Sequence, residues 1–232
     1  MDNKKFEALN IPTHIAFIMD GNRRWAKSHG LNKYLGHKKG ANSLVEIVKI
    51  LSSLKKVKYA SFFGFSTENW NREQKEVDYL FDIAYNMLVE NEEKLLKDNI
   101  KFVTMGDVSP LPEKLKDKLL SVQNKTASCT GLTIFVGLNY GGRDDIIQAT
   151  KKCVASGEDL TIENLKKNLF CPYDIDLLVR TSGEQRVSNF MLFQMAYSEF
   201  YFTKKHWPEF DKRQLYLAIK SFSKRHRRFG GK

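Results

Sequence analysis

The stretch His14-Ile15-Ala16-Phe17-Ile18-Met19-Asp20-Gly21-Asn22-Arg23-Arg24-Trp25 decides the fold of this chain. His14 to Met19 is a short apolar run, the pattern of a buried strand. It stops at Asp20-Gly21-Asn22, a turn signal, and a helix is predicted to start near Asn22. A buried strand that feeds a helix through a polar turn is the opening unit of an α/β domain.

The same alternation continues outward. Leu44, Ile47, Val48 and Leu51 recur at helical spacing and predict a helix over 41–54, with Gly36-His37-Lys38-Lys39-Gly40 at its start. Tyr59 to Phe65 predicts a second strand, and Val77, Leu80, Phe81, Ala84 and Leu88 mark one stripe of a helix over 75–98. Further strands are expected at Ile100–Met105, Leu132–Leu138 and Ile175–Val179. Helices are expected at 112–124, from a cap at Asp144 or Asp145 to Ala155, and near 161–169. An aromatic-rich stretch, a helix and the basic segment SKRHRRFGGK follow. The expectation is one α/β domain over 1–232, with a mainly parallel sheet flanked by helices. Ligands of such sheets sit beyond the carboxyl ends of the strands, where the polar clusters DGNRRW, STENW and RTSGEQR fall.

Composition narrows the partners. The 232 residues carry 38 Lys and Arg against 27 Asp and Glu, a formal net charge of +11, which favours anionic partners. A nucleic-acid reading rests on that charge and the basic tail alone. No RNP, zinc or helix-turn-helix signature supports it, so no nucleic acid is expected. Cys129, Cys153 and Cys171 lie far apart without metal spacing, which fits a reducing compartment. No signal-peptide pattern opens the sequence and no run of about 18 apolar residues occurs, so a cytoplasmic location is expected.

The turn at Asp20 carries the sharpest chemical signal. Gly21 lets backbone N–H groups approach an anion, and Arg23 and Arg24 add cations. Asp20 breaks the positive pattern; a divalent cation bridging it to phosphate would explain it. By itself the hexapeptide reads equally well as a helix cap with solvated arginines. Ser66-Thr67-Glu68-Asn69-Trp70-Asn71-Arg72 and Arg180-Thr181-Ser182-Gly183-Glu184-Gln185-Arg186-Val187-Ser188 are polar loops at later strand ends, and the second makes a candidate anion cradle. His37 would be a phosphate donor beside a helix amino terminus. Glu199, an acid in an aromatic run, needs an arginine or a metal. No GxxxxGK[ST] loop, GxGxxG fingerprint or HExxH is present, and neither is a DDxxD pair.

Taken in order, HIAFIMDGNRRWAK, GHKKGA, FGFSTENWNR, LNYGGRDDI, DLLVRTSGEQRVSNFMLFQMAYSEFYF, WPEF and RRFGG resemble the cis-prenyltransferase family over nearly the whole chain. The resemblance implies a homodimer with a hydrophobic tunnel. It also implies Mg²⁺-dependent, sequential cis additions of isopentenyl diphosphate to an allylic diphosphate, usually farnesyl diphosphate. The expected product is a long-chain polyprenyl diphosphate of the undecaprenyl class. By that likeness Asp20 is the central acid and metal ligand, and Glu199 completes the metal site. Gly21, Asn22, Arg23, Arg24, Trp25, Lys33 and His37 hold the allylic diphosphate. Ser66, Thr67, Glu68, Trp70 and Arg72 shape the reacting centre, with Asn69 assisting proton removal. Arg180, Arg186, Val187 and Ser188 hold isopentenyl diphosphate, and Arg228-Phe229-Gly230 reach the partner subunit's site.

The stripe from Val77 to Leu88, with Phe63 and Phe65, is the expected tunnel wall. Peripheral membrane contact is expected to help product release. Three positions depart from the family pattern: Lys33 replaces a usual arginine, Arg23 stands where many members have glycine, and Gln185 replaces a common histidine. A non-catalytic lipid-diphosphate-binding subunit is the rival reading. Retention of Asp20, Asn69, Arg180, Arg186 and Glu199 argues against it.

Overall fold

A computed structural model describes residues 4–226. In chain order the elements are α1 (Lys4–Glu7), β1 (His14–Ile18), α2 (Asn22–Ser28), α3 (Lys33–Ser53), β2 (Tyr59–Ser66), α4 (Gln74–Lys97), β3 (Lys101–Met105) and α5 (Glu113–Lys125). They continue with β4 (Thr133–Tyr140), α6 (Gly142–Ala155), α7 (Ile162–Asn168), β5 (Leu177–Arg180), β6 (Glu199–Phe202) and α8 (Lys212–Ser223). Short 3₁₀ turns occupy Thr67–Asn71 and Trp207–Glu209.

The strands form one parallel sheet in the order β3-β4-β2-β1-β5-β6. Every residue of β1 is buried, as expected of a central parallel strand covered by helices on both faces. The chain leaves β1 for β2 on one side and later returns to β5 on the other. β1 is therefore the topological switch point, and the crevice beyond its carboxyl end is the place for a ligand. Register puts Ile18 beside Arg180, so Asp20 and the basic end of β5 face one crevice.

Three expectations need correction. The helix predicted from residue 41 begins at Lys33, where the Asn32 side chain accepts the Tyr34 N–H at 3.1 Å. His37 thus sits in the second turn, away from the free amino-terminal N–H groups. The helix expected to be capped by Asp144 or Asp145 has Gly141 as its cap. Asp145 is instead buried and accepts the Tyr140 hydroxyl at 2.9 Å and the Phe170 N–H at 3.1 Å. The aromatic stretch contains the edge strand β6, whose residues are all half-buried and show no alternation to reveal it. Among the described residues, no helix is long and apolar enough to cross a membrane.

Candidate active site

The Asp20-Gly21-Asn22 turn is held from below. The Asp20 carbonyl receives Thr181 Oγ1 at 2.6 Å, Ser182 Oγ at 2.9 Å and the Trp207 N–H at 3.0 Å. Trp207 is fully buried, stacks on Phe210 and donates Nε1–H to the Gly40 carbonyl at 2.8 Å. Gly21 has φ 104°, and a Cβ there would overlap Ser182 Oγ and the His206 ring. Gly21→Ala is therefore expected to lower unfolding free energy by about 1–3 kcal/mol through left-handed strain, before counting the overlap. Urea unfolding checks this. Thr181, Ser182, His206 and Trp207 escaped the sequence reading as supports of the turn; Thr181 and Ser182 stood only in the candidate anion cradle and Trp207 only in the WPEF resemblance.

Above the turn lies a cavity of about 1320 Å³. Asp20, Gly21, Asn22, Arg23, Arg24, Lys33, His37, Ser66, Glu68, Asn69, Arg72, Arg180 and Ser188 line it. The sequence-predicted set thus converges from four separate segments of the chain. Asp20 accepts Arg24 Nη2 at 2.8 Å and Arg180 Nη2 at 3.1 Å. Burial pushes its carboxyl upward, but the two guanidiniums outweigh this and hold it below its ordinary value. Arg180 also donates to Ser188 Oγ at 2.7 Å and to the Arg186 carbonyl. Its Nε–H is buried without a partner, as is Asn22 Oδ1. Unpaired buried polar groups at a cavity wall are costly and fit a missing polar ligand.

A second carboxylate, Glu76, organises the opposite wall and was not predicted. It is 1% exposed at the start of α4. Lys33 approaches it at 3.1 Å, His37 at 3.2 Å, Arg72 at 3.4 Å and Arg23 at 4.0 Å. Burial pushes its pKa upward, yet Lys33, Arg23, His37 and Arg72 together bring it below the ordinary value. Burial lowers the His37 pKa against the pull of Glu76, so the ring is neutral near pH 7 and its Nε2 is set to donate to Glu76. A sequence signal existed: Glu76 stands four residues before Leu80, on the buried stripe of α4.

The Ser66 to Arg72 segment closes on itself. Ser66 N–H donates to Asn69 Oδ1 at 3.2 Å, forming a reciprocal cap. Glu68 is held ionised: burial raises its pKa, but hydrogen bonds from its own backbone, Ser66, Asn189 and Thr67 lower it further.

Some predicted residues do not face the cavity. Trp25 packs on the His29 ring at 4.5 Å. Trp70 packs against Phe65 and Phe81 and donates Nε1–H to Asn139 Oδ1 at 2.8 Å. Arg186 pairs with Glu184, and Val187 packs into the smaller core cluster. Thr67 lies against Gly141. Glu199 pairs with Arg225 at 2.6 Å. Register sets it beside Leu177, three residues before Arg180, about 10 Å along the strand from the crevice end. The expected Asp20–Glu199 metal pair is therefore not formed within one chain, and no group of three metal-ligating side chains occurs among the described residues. Arg228-Phe229-Gly230 lie outside the described residues.

Met19, Asn22, His37, Phe63, Gly64 and Leu80 also belong to a second cavity, of about 230 Å³, so the two adjoin. Its walls are mostly apolar: Leu44 and Val48 of α3, Leu80, Phe81, Ala84 and Leu88 of α4, and Phe65 and Leu138 of the sheet, with Lys49, Asn91, Lys94 and Asp98 also on the lining. From Leu80 to Leu95 it follows α4 for about 22 Å. The stripe expected to wall a tunnel lines this cavity except for Val77, which is fully buried in the core and absent from the wall.

Comparison with known proteins agrees with this architecture. A family model described as putative undecaprenyl diphosphate synthase matches residues 18–230. An isoprenyl transferase of Clostridium tetani is 44% identical over 239 residues, covering 99% of this chain and 93% of that protein. A ditrans,polycis-undecaprenyl-diphosphate synthase ((2E,6E)-farnesyl-diphosphate specific) of Vibrio parahaemolyticus is 42% identical, covering 99% of this chain and 95% of that protein. Among solved structures, lavandulyl diphosphate synthase from Lavandula x intermedia, in complex with dimethylallyl diphosphate, superposes with a TM-score of 0.90 at 36% identity. That match covers 95% of this chain and 98% of that one. A probable undecaprenyl diphosphate synthase from Campylobacter jejuni gives 0.83 at 35% identity, over 96% of this chain and 100% of that one. With a family model over most of its length and relatives more than 40% identical along nearly the whole of it, the chain belongs to the undecaprenyl diphosphate synthase family as a cis-prenyltransferase.

Proposed function

We propose that this chain adds isopentenyl diphosphate repeatedly to farnesyl diphosphate, each new double bond being cis, and that the product is undecaprenyl diphosphate. The observation that carries this reading is that the two cavities adjoin along shared residues. One end binds diphosphates and the other takes only hydrocarbon, so a substrate with a charged head and an apolar tail has one orientation.

The reaction breaks the C1–O bond of the allylic diphosphate, forms a carbon–carbon bond to isopentenyl diphosphate and releases a proton. Both substrates carry several negative charges, so their heads repel when the reacting carbons meet. Arg23, Arg24, Lys33, His37 and Arg72 surround the head of the allylic substrate, and Arg180 and Ser188 that of the other. Preorganised cations at the leaving diphosphate stabilise the charge it gains in the transition state. Asn69 Oδ1 keeps a second lone pair after accepting the Ser66 N–H and is placed to orient the departing proton.

The residues fit Mg²⁺. Asp20 is an ionised carboxylate 27% exposed, faced by Arg24 and Arg180, with Glu68 as the other acid lining the cavity, and this ion is usually held by one or two carboxylates plus substrate phosphates. When bound there, Mg²⁺ neutralises charge on the leaving diphosphate. A role for Glu199 as a second ligand requires the partner subunit of a homodimer, because its own Asp20 is out of reach.

Each added unit brings five carbons, and burying them contributes up to about 4 kcal/mol. Growth along α4 is therefore favourable while release is slow, and contact with a membrane or detergent is expected to speed it. The test is mass analysis of the products formed from isopentenyl and farnesyl diphosphates with Mg²⁺. A ladder of five-carbon steps ending near 55 carbons is the result implied by this reading. No elongation, or a stop after one addition, refutes it.

A further inference from the structure

Among the arginines that line the larger cavity, one carries no carboxylate partner among the described residues. Arg23 and Arg72 lean on Glu76, Arg24 is tied to Asp20 and Glu184, and Arg180 is tied to Asp20. Arg143 lines the same cavity, is exposed, and makes no such pair. Its charge is not offset by a neighbour. An incoming anion meets the whole of it and breaks no existing pair to do so.

The position of Arg143 is fixed although its guanidinium is unpaired. It is the second residue of α6, and its backbone N–H donates to Asn189 Oδ1 at 3.0 Å. The Gly142 N–H donates to the Asn189 carbonyl at 2.6 Å. Asn189 Nδ2 in turn donates to Glu68 Oε1 at 3.1 Å. Asn189 adopts a left-handed φ of 61°, and its neighbour Ser188, the partner of Arg180, has φ 46°. Such backbone persists only where surrounding bonds over-determine it. The strained loop therefore ties the start of α6 to the cradle of Arg180 and Ser188. Asn189 occupies the two N–H groups at Gly142 and Arg143, so what this corner offers a ligand is the guanidinium.

We infer that Arg143 is a further diphosphate-binding residue on the isopentenyl side of the cavity, with Asn189 as its positioning residue. The inference rests on the function proposed above. Steady-state kinetics with each substrate varied in turn, together with calorimetric titration of inorganic pyrophosphate, tests it. Arg143→Ala is expected to raise KM for isopentenyl diphosphate about tenfold to a hundredfold, the range of a hydrogen bond to a charged group. KM for farnesyl diphosphate should stay within about twofold and the thermal midpoint should not move. Arg143→Lys recovers part of the loss, because lysine keeps the charge without the fork. Asn189→Gly keeps the left-handed backbone accessible, drops both side-chain bonds and is expected to shift the same constant in the same direction. An unchanged KM in Arg143→Ala, or equal rises for both diphosphates, overturns the inference. Weaker pyrophosphate binding by Arg143→Ala in a protein whose wild type shows no turnover leaves Arg143 as an anion ligand and removes the proposed function instead.

Discussion

Replacing Asp20 with alanine is expected to lower turnover by about a thousandfold or more, the scale on which removal of one preorganised electrostatic contact acts, while the fold survives. Asp20 is the negative group to which Arg24 and Arg180 both point, and these arginines come from the two sides of the switch point. Without the carboxylate the site keeps its cations and loses the one acid at their meeting point. Binding of a bare diphosphate should not weaken, since the local charge becomes more positive. The defect should appear in kcat, and raising Mg²⁺ should not restore it. Stability should fall by only about 1–3 kcal/mol, the cost of leaving a donor of buried Arg180 unpaired. Asp20→Asn keeps the shape and an acceptor for the guanidiniums, so it separates charge from packing. It is expected to be nearly as inactive and closer to wild type in urea unfolding. Near-normal turnover in either variant would refute the assigned role.

The difference between Asp20 and the residues beneath it shows what a linear reading can find. β1, the turn and the two later arginine-bearing loops were legible because each is a local pattern: an apolar run, a glycine, clustered charges at a strand end. Their convergence followed from the rule for parallel sheets, and register bore it out at Ile18 and Arg180. The supports of the turn were not legible. Ser182, His206 and Trp207 lie about 160 to 190 positions away from it in sequence, and nothing local in RTSG or KHWPEF announces that Ser182 and Trp207 meet the Asp20 carbonyl or that His206 meets Ser182. The separation of Glu199 from the Asp20 of its own chain has a different origin. The resemblance supplied its role, whereas its distance from Asp20 depends on the pairing of an edge strand that has no hydrophobic alternation. His37 was recognised as part of the site, but its surroundings were misjudged because α3 starts earlier than its apolar periodicity does. The capping Asn32 marks that start.

Glu76 is the residue whose loss should be felt most widely after Asp20. A buried carboxylate facing Lys33, His37, Arg72 and Arg23 is costly to desolvate, and breaking such a set by removing its acid typically lowers stability by about 3–5 kcal/mol. Glu76→Gln preserves volume and removes the charge, so its effect isolates electrostatics; Glu76→Ala adds a cavity. Both are expected to raise KM for the allylic diphosphate, because the side chains of the allylic cradle lose their common anchor. Lys33 is the most sensitive of them: its ammonium is held by Glu73 and Glu76, and it lacks the fork with which an arginine would fix itself. The pH dependence has a definite sign. The Glu76 pKa in the folded protein lies below its ordinary value of 4.5, so its contribution is complete above that value and is lost as pH falls through the folded one. The His37 pKa is also lowered, from 6.5, so the unfolded chain takes up a proton first and stability declines as pH drops below about 6.5. Acid therefore weakens the cradle through both partners. Urea unfolding of wild type and Glu76→Gln should differ by several kcal/mol at pH 7, with a gap that narrows below pH 4.5 as the wild-type carboxylate gains its proton. A gap that stays constant through that range would mean that Glu76 acts by its shape and not by its charge.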